Sequence, residues 1–336
     1  MKEALSHEVG EGRVREVFIR IRPFVRWLTL LLLVAVVAVA AAVAARPKPR
    51  KREPPAPEAR PAATDSSPFA LVYERVVAGN QDLYTIPAGG GLERRLTEDP
   101  ALDGLPRWTA DGKRVLFTSE RTGRPQIWEI AVDDRRERRV RENAFTEYQV
   151  DETADGARLA FLSNEGGAEH LWVWPYRRGE PRAIVKHGRE TILGNPDWSP
   201  DGSRLTFSSN WRIGHQIYVV NADGGDERRL SPLTSGGCEP RFSPDGKKVA
   251  YTSRGHLGST SRIVEHDLES GKETVLVDWP ALNYDVAYSP DGSEIAFASN
   301  ISGDYVIYRQ RLADGKAWRV TFGPGGARYP DYAPAR

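Results

Sequence analysis

Charged side chains recur along this chain at steps of 44 or 46 residues, and their types and spacing could do chemistry. The charged members of the series are Arg107, Asp151, Asp197, Arg241 and Asp331, with Ala287 at the sixth position. Carboxylates and guanidinium groups gathered around one axis could bind a polar ligand, an ion or a loop of a partner protein. They could instead pair with one another and stiffen the fold, because buried charges need partners. The sequence leaves both interpretations open.

No motif for catalysis or metal binding accompanies this series. The sequence has no Gly-x-Ser-x-Gly nucleophile elbow, no His-Glu-x-x-His pair and only a single Cys. The 47 Lys and Arg against 46 Asp and Glu give no electrostatic reason to expect nucleic acid as a partner. We therefore predict a non-catalytic protein with no catalytic residues, no metal site and no cofactor.

A repeat of about 45 residues positions the charged series. Asp-Gly pairs, which favour a hairpin turn because glycine supplies positive φ, begin at Asp111, Asp155, Asp201, Asp245 and Asp291. An aromatic follows six residues after each Asp, and a second aromatic usually follows eleven residues later. A third series is aliphatic and comprises Leu96, Val140, Ile184, Leu230, Leu276 and Val320. Each unit thus predicts four short strands, the first ending at the Asp-Gly turn and the others centred on these three positions.

The ends of the repeat predict how the fold closes. The first unit, residues 69–97, lacks a first strand, whereas the last residues supply a first strand with nothing after it. Pairing the C-terminal strand with the first unit removes two open sheet edges. We therefore predict an all-β, six-bladed β-propeller over residues 69–336, with four antiparallel strands per blade and the C-terminal strand closing the first blade. First strands are innermost, which places the charged series near the central channel.

One unit departs from the pattern. Glu152 stands where the other units have an aromatic, namely Trp108, Trp198, Phe242, Tyr288 and Tyr332. An acid buried there without partners would be costly. We expect either that Glu152 turns toward the channel or a side pocket with access to solvent, or that its strand is locally shifted. Glu152 joins the predicted channel-proximal binding residues.

These repeats closely resemble the TolB-type, WD-like propeller repeat. The best matches are Asp197–Gly202, which reads DWSPDG, and Gln216–Gly224, which reads QIYVVNADG. The family's namesake is periplasmic, has an α/β domain ahead of its propeller and binds a peptidoglycan-associated lipoprotein. Here a proline-rich segment stands in place of the α/β domain, so a true TolB is not expected. The resemblance implies an extracytoplasmic binding scaffold.

Three zones precede the repeats. Residues 1–26 are polar, and Trp27–Ala45 are apolar except for Thr29. A 19-residue helix reaches about 28 Å, close to the ~30 Å hydrocarbon core of a bilayer. We predict a membrane-spanning helix there, with a cleaved signal peptide as the alternative. Residues 46–68 carry seven prolines and a basic cluster, which predicts an extended linker.

The side of the membrane that the propeller occupies does not follow from charge. Five basic residues flank the apolar segment on one side and six on the other. The family resemblance instead implies a periplasmic or other extracytoplasmic propeller behind a short cytoplasmic tail. We predict a single-pass membrane protein that binds a protein, peptide or polymer of the cell envelope. Two alternatives stay open: a lactonase- or lyase-like enzyme using channel acids and a metal, and a sensor signalling through a partner.

Overall fold

The computed structural model describes residues 67–211, 214–254 and 259–335. In this part of the chain the backbone forms 24 strands arranged as six four-stranded antiparallel sheets. The predicted all-β, six-bladed propeller with four antiparallel strands per blade is confirmed. None of these residues belongs to a helix long and apolar enough to cross a membrane. The predicted spanning segment Trp27–Ala45 lies outside the described residues, as does nearly all of the predicted linker.

The blades follow one another along the chain, and the strands of each blade are ordered from the channel outward. Blade 1 comprises β24 (Ala327–Tyr332), β1 (Ala70–Val77), β2 (Asn80–Pro87) and β3 (Arg94–Arg95). Blade 2 comprises β4 (Asp103–Trp108), β5 (Arg114–Ser119), β6 (Gln126–Ala131) and β7 (Glu137–Arg139). Blade 3 comprises β8 (Glu147–Glu152), β9 (Arg158–Ser163), β10 (His170–Pro175) and β11 (Arg182–Val185).

The other three blades repeat this order. Blade 4 comprises β12 (Leu193–Trp198), β13 (Arg204–Ser209), β14 (Gln216–Asn221) and β15 (Arg228–Arg229). Blade 5 comprises β16 (Cys238–Phe242), β17 (Lys248–Arg254), β18 (Ser261–Asp267) and β19 (Glu273–Val277). Blade 6 comprises β20 (Asn283–Tyr288), β21 (Glu294–Ser299), β22 (Val306–Arg311) and β23 (Ala317–Arg319).

Each Asp-Gly turn is held by its own side chains. At Asp201, the carboxylate accepts hydrogen bonds from Ser199 Oγ at 2.6 Å and from the Ser203 backbone N–H at 3.0 Å. Gly202 then takes φ 66°, a conformation that costs glycine little. The turns of blades 2 and 3 use Thr109 and Thr153 in place of the serine. The five turns lie at one end of the propeller, which we call the Asp-Gly face.

The second-strand aromatics form the centre of each blade. All are at most 1% exposed: Tyr73, Phe117, Phe161, Phe207, Tyr251 and Phe297. Four of the outermost strands are shorter than predicted. Each ends one residue before the aliphatic residue predicted as its centre, namely Leu96, Val140, Leu230 and Val320. The backbone N–H of each of these four still bonds to the third strand; the side chains of Leu96, Leu230 and Val320 are buried, and that of Val140 is half-buried against the core.

The predicted closure of the ring is confirmed. β24 pairs antiparallel with β1, with Leu71 opposite Tyr332, so the C-terminal strand completes the first blade. Glu294 of blade 6 accepts hydrogen bonds from Tyr332 Oη at 3.0 Å and from Ser67 Oγ at 2.6 Å. The two ends of the described chain are thus held by one carboxylate next to the Asp-Gly face.

Every first strand carries a left-handed residue two positions before the charged series. These residues are Leu105, Gln149, Asn195, Glu239, Asp285 and Tyr329, with φ between 50° and 59°. The pairing register of each blade shifts at this point, which marks a β-bulge. The bulge redirects the residues before and after it. Each first strand therefore contributes side chains at two levels of the channel, and the six strands together form two rings.

Candidate functional site

Arg107 of β4 lies at the axis of the propeller and is bound by aspartates from three other blades. Its guanidinium nitrogens lie 2.7 Å from Asp197 Oδ1, 3.1 Å from Asp331 Oδ1 and 3.4 Å from Asp151 Oδ1. The Arg107 side chain is only 8% exposed. Burial lowers the pKa of Arg107 and the three carboxylates raise it, with a net upward shift. These four residues form the axial cluster.

The second oxygen of each aspartate binds the backbone of the following blade. Asp331 Oδ2 accepts the Trp108 N–H at 2.8 Å, while Asp151 Oδ2 and Asp197 Oδ2 accept the Trp198 and Phe242 N–H groups at 2.7 Å. Burial, opposed by Arg107, raises the pKa of all three carboxylates. Each aspartate thus joins its own blade, the next blade and the axis.

Arg241 of β16 lies at the edge of the axial cluster. Its Nη1 is 3.3 Å from Asp197 Oδ1, and its Nε donates to the Val286 carbonyl at 3.3 Å. The charged series is therefore largely satisfied by mutual ion pairs, the second of the two interpretations that the sequence left open. All six residues predicted from the sequence nevertheless line one cavity of ≈ 260 Å³ at the Asp-Gly face, namely Arg107, Asp151, Glu152, Asp197, Arg241 and Asp331.

Glu152 keeps the register of its strand and turns outward. It pairs with Leu159 as Trp198 pairs with Leu205 in the next blade, so no local shift occurs. Its carboxylate accepts the Ala110 N–H of blade 2 at 2.7 Å and is half-buried, and burial raises its pKa. Besides the axial cavity, Glu152 lines a second cavity of ≈ 600 Å³ that extends outward between blades 2 and 3.

Tyr176 replaces the aromatic ring that Glu152 fails to supply. It comes from the turn after β10, packs edge-on against Trp174 with ring centroids 5.2 Å apart, and belongs to the core cluster of blades 2 and 3. Its hydroxyl donates to the buried Glu129 carboxylate at 3.1 Å. In blades 5 and 6 the first-strand aromatic Tyr288 makes the equivalent bond to Glu265 at 2.7 Å. Sequence reasoning missed Tyr176 because it lies outside the repeat phase.

A second charged cluster, also missed from the sequence, lies deeper in the channel. Arg328 of β24 bonds to both oxygens of Asp285, at 2.9 and 3.0 Å, and lies 3.6 Å from Glu239. Glu74 of β1 accepts the Leu105 N–H at 2.9 Å. Burial raises the pKa of Glu74 to about 7, and burial with the nearby Asp285 charge raises that of Glu239 to about 8. These four acidic and basic residues form the deep cluster.

The deep cluster repeats the backbone bonds of the axial cluster. Glu239 accepts the Asp285 N–H at 2.9 Å, Asp285 accepts the Tyr329 N–H at 3.3 Å, and Gln149 accepts the Asn195 N–H at 2.8 Å. The sequence did contain a signal for these bonds, because Gln149, Glu239 and Asp285 lie two positions before the charged series and follow the same 44- and 46-residue spacing. It was hidden by the mixture of apolar, amide, acidic and aromatic residues at those positions.

The axial aspartates are engaged in ion pairs and in hydrogen bonds to the backbone. Within the described ranges, no three or more His, Cys, Asp and Glu side chains are grouped so that they could hold a metal ion. Both oxygens of each axial aspartate are already bound to arginine and to backbone N–H groups. The arrangement can fix the blades around the axis and present a preformed, charge-compensated cavity.

The described strands form a six-bladed β-propeller around a central channel, with the cavity at its Asp-Gly face. A family model described as the TolB beta propeller domain matches residues 54–173 and 151–274. The chain belongs to this family.

Among relatives, the Tol-Pal system protein TolB of Bordetella pertussis is 44% identical over 52 residues, which are 15% of this chain and 12% of that protein. The chain thus spans 12% of the length of the curated relatives it matches. The TolB of Acinetobacter baumannii superposes with a TM-score of 0.69 at 19% identity, covering 80% of this chain and 67% of that one.

Two further solved structures show the range of proteins that use this fold. A putative TolB from Agrobacterium tumefaciens has a TM-score of 0.62 at 20% identity, covering 80% of this chain and 98% of that one. The oligogalacturonate lyase of Vibrio parahaemolyticus has a TM-score of 0.50 at 17% identity, covering 72% and 71%. At these identities the likeness establishes the fold, whereas activity depends on the residues of the site.

Proposed function

We propose that this propeller is a non-catalytic scaffold that binds a protein partner of the cell envelope through the cavity at its Asp-Gly face. Membership of the TolB propeller family supports a protein-binding role, since relatives carry the name of the Tol-Pal system. The observation that carries the proposal is the state of the axial acids. Asp151, Asp197 and Asp331 each have both oxygens engaged, so none is held in reserve for proton transfer or metal ligation.

Site-specific photocrosslinking in cells tests this proposal on the full chain. A photoreactive amino acid is placed at Ala154 or Pro244, both exposed at the Asp-Gly face, and at Thr122 on the opposite face as control. We expect adducts with an envelope protein at Ala154 and Pro244 and none at Thr122. Adducts confined to Thr122 would contradict the proposed face. A divalent ion that copurifies with the chain and is lost in Asp197→Ala would favour an enzyme instead.

We further propose that Trp27–Ala45 anchors the chain in a membrane with the propeller on the extracytoplasmic side. The length of this segment and its lack of charge support a spanning helix. The resemblance to a family whose namesake is periplasmic supports the extracytoplasmic side. An alkaline-phosphatase fusion after Arg336 should be active in cells, and a β-galactosidase fusion at the same position should be inactive. The opposite pair of activities would place the propeller in the cytoplasm.

A further inference from the structure

A radial groove runs outward from the axial cavity between blades 2 and 3 at the Asp-Gly face. Its inner half is the ≈ 600 Å³ cavity that Glu152 shares with the axial cavity, and its outer half is a further cavity of ≈ 470 Å³. Arg114 and Arg177 line both halves. The groove therefore continues the surface on which the proposed function rests.

Three arginines in this groove converge on one carboxylate. Glu129 of β6 is 4% exposed, binds Arg138 Nε and lies 3.7 Å from both Arg114 Nε and Arg177 Nη2. The Arg114 Nε is buried and has no hydrogen-bond partner within the described structure. A single carboxylate compensates one guanidinium, and Asp111, 3.3 Å from Arg114, partly compensates a second. Arg138 Nη2 and Arg177 Nη2 also donate to the neutral Tyr176 hydroxyl, at 3.2 and 3.1 Å, so positive charge and the Arg114 Nε–H donor remain uncompensated at this point.

The equivalent place between blades 5 and 6 shows what a purely structural carboxylate needs. Glu265 occupies the position of Glu129, opposite Ala250 as Glu129 is opposite Leu116. One lysine, Lys248 at 2.8 Å, and one tyrosine hydroxyl satisfy Glu265. Stability alone therefore does not require the additional arginines at Glu129. Guanidinium groups held close together repel one another, and an incoming anion relieves that repulsion.

The remaining charges of the groove favour a polypeptide over a polyanion. In the outer half, Asp134 pairs with Arg136 at 3.0 Å and Glu137 binds Arg121, while Asp133 lies exposed at the rim. The inner half presents three acidic side chains, Glu152, Asp111 and Asp155. A polymer with a negative charge at every unit would be repelled by these acidic side chains. A peptide of mixed charge can place a cation there and a carboxylate over the arginines.

We propose that the groove binds an extended segment of the partner protein, with an acidic side chain of that segment seated on Arg114, Arg138 and Arg177. The arginine forks would hold the carboxylate by paired N–H donors, and a basic side chain of the segment would lie near Glu152. This inference rests on the proposed scaffold function and names the chemistry of its partner.

Fluorescence anisotropy on the full chain in detergent tests the proposal. The probe is a labelled hexapeptide of alternating glutamate and lysine. We expect saturable binding with a Kd of at most about 1 mM. Arg177→Gln should weaken binding about tenfold. Arg177 is 52% exposed and Arg138 still pairs with Glu129, so the variant should fold, as its melting curve would show. Arg189→Gln, the same charge change at an exposed residue of the opposite face, should leave affinity unchanged.

Three results of the binding measurement overturn the inference. The first is that the hexapeptide does not bind saturably to the unaltered chain. The second is that Arg177→Gln and Arg189→Gln lose the same amount of affinity for the hexapeptide. The third is that polyphosphate binds more tightly than the hexapeptide and that Arg177→Gln weakens polyphosphate binding instead of peptide binding. Crosslinking separates these failures from failure of the scaffold itself. An adduct at Ala154 that persists undiminished in Arg177→Gln keeps the scaffold and rejects the groove, whereas no adduct at Ala154 or Pro244 in the unaltered chain rejects the scaffold.

Discussion

The two clusters of the channel fasten neighbouring blades in the same way but balance their charges differently. In both, a side chain of one blade accepts a backbone N–H of the next. The axial cluster surrounds a central arginine with carboxylates, so each of its three acids lies within 3.4 Å of a guanidinium nitrogen. In the deep cluster, Arg328 binds Asp285 closely but Glu239 only at 3.6 Å, and Glu74 bonds to amide groups alone.

This difference shows two ways of keeping acids buried at blade interfaces. A central cation stabilises several ionised carboxylates at once, provided that it stays in place. In the deep cluster, where cations are fewer, burial keeps the acids protonated to a pH above the ordinary carboxyl range, as the raised pKa values of Glu74 and Glu239 indicate. Loss of one cation should therefore affect the axial cluster most, whereas both clusters should contribute to the pH dependence of stability, because burial raises the pKa values of acids in each.

Removing the central cation should have the largest effect. Arg107→Met leaves three buried carboxylates without their shared partner, and we expect a loss of about 3–5 kcal/mol of unfolding free energy, measured by chemical denaturation. The loss should be smaller at pH 5 than at pH 8, because the aspartates can then take up protons. Arg241→Met, which removes a cation with one close carboxylate, serves as control and should cost clearly less. Equal losses in the two variants would contradict the central role of Arg107.

The pH dependence of stability should be carried in part by Glu239. Its folded pKa of about 8 and that of Glu74 of about 7 both exceed the ordinary value of 4.5. From about pH 5 to pH 8 the folded chain therefore binds more protons than the unfolded chain, and unfolding free energy falls as pH rises, by at most about 1.4 kcal/mol per pH unit for each group. Glu239→Gln, which imitates the protonated acid, should flatten this fall.

The comparison between variant and unaltered chain isolates Glu239 from the other titrating groups. The axial aspartates, whose pKa values burial also raises, contribute equally to both proteins. Denaturation at half-unit pH intervals is the measurement, and above pH 8 the variant should be the more stable of the two. Parallel curves would show that Glu239 titrates normally in the folded chain.

Gln149, which occupies the same first-strand position in blade 3 as Glu239 and Asp285 do in blades 5 and 6, should matter least. Gln149 accepts the Asn195 N–H at 2.8 Å without carrying charge. Gln149→Leu should cost about 1 kcal/mol, the net worth of one hydrogen bond, and the cost should not change between pH 5 and pH 8. A pH-dependent cost would show that the amide is coupled to the acids of the cluster.

The repeat made much of the fold predictable. Asp201 and Gly202 encode a turn through local hydrogen bonds and positive φ, and Phe207 marks a buried strand, so these features need no information from distant residues. The outer strands were placed less well, because Leu96 and Val140, their predicted centres, lie one residue beyond the ends of β3 and β7. The site was predicted only in part. The charged series was found by its period, whereas Glu239 and Tyr176 were not.

The sequence by itself determined the number of blades, the closing strand and the approach of the charged series to the axis, because a repeat of fixed phase gives each residue its place in a blade. Only the tertiary structure decided which charges meet. Arg107 bonds to blades 1, 3 and 4 at once, and Tyr176 fills the position that Glu152 leaves open. Such contacts depend on how six blades with different side chains close into one ring. The spacing of residues along the chain does not predict which side chains of different blades come into contact.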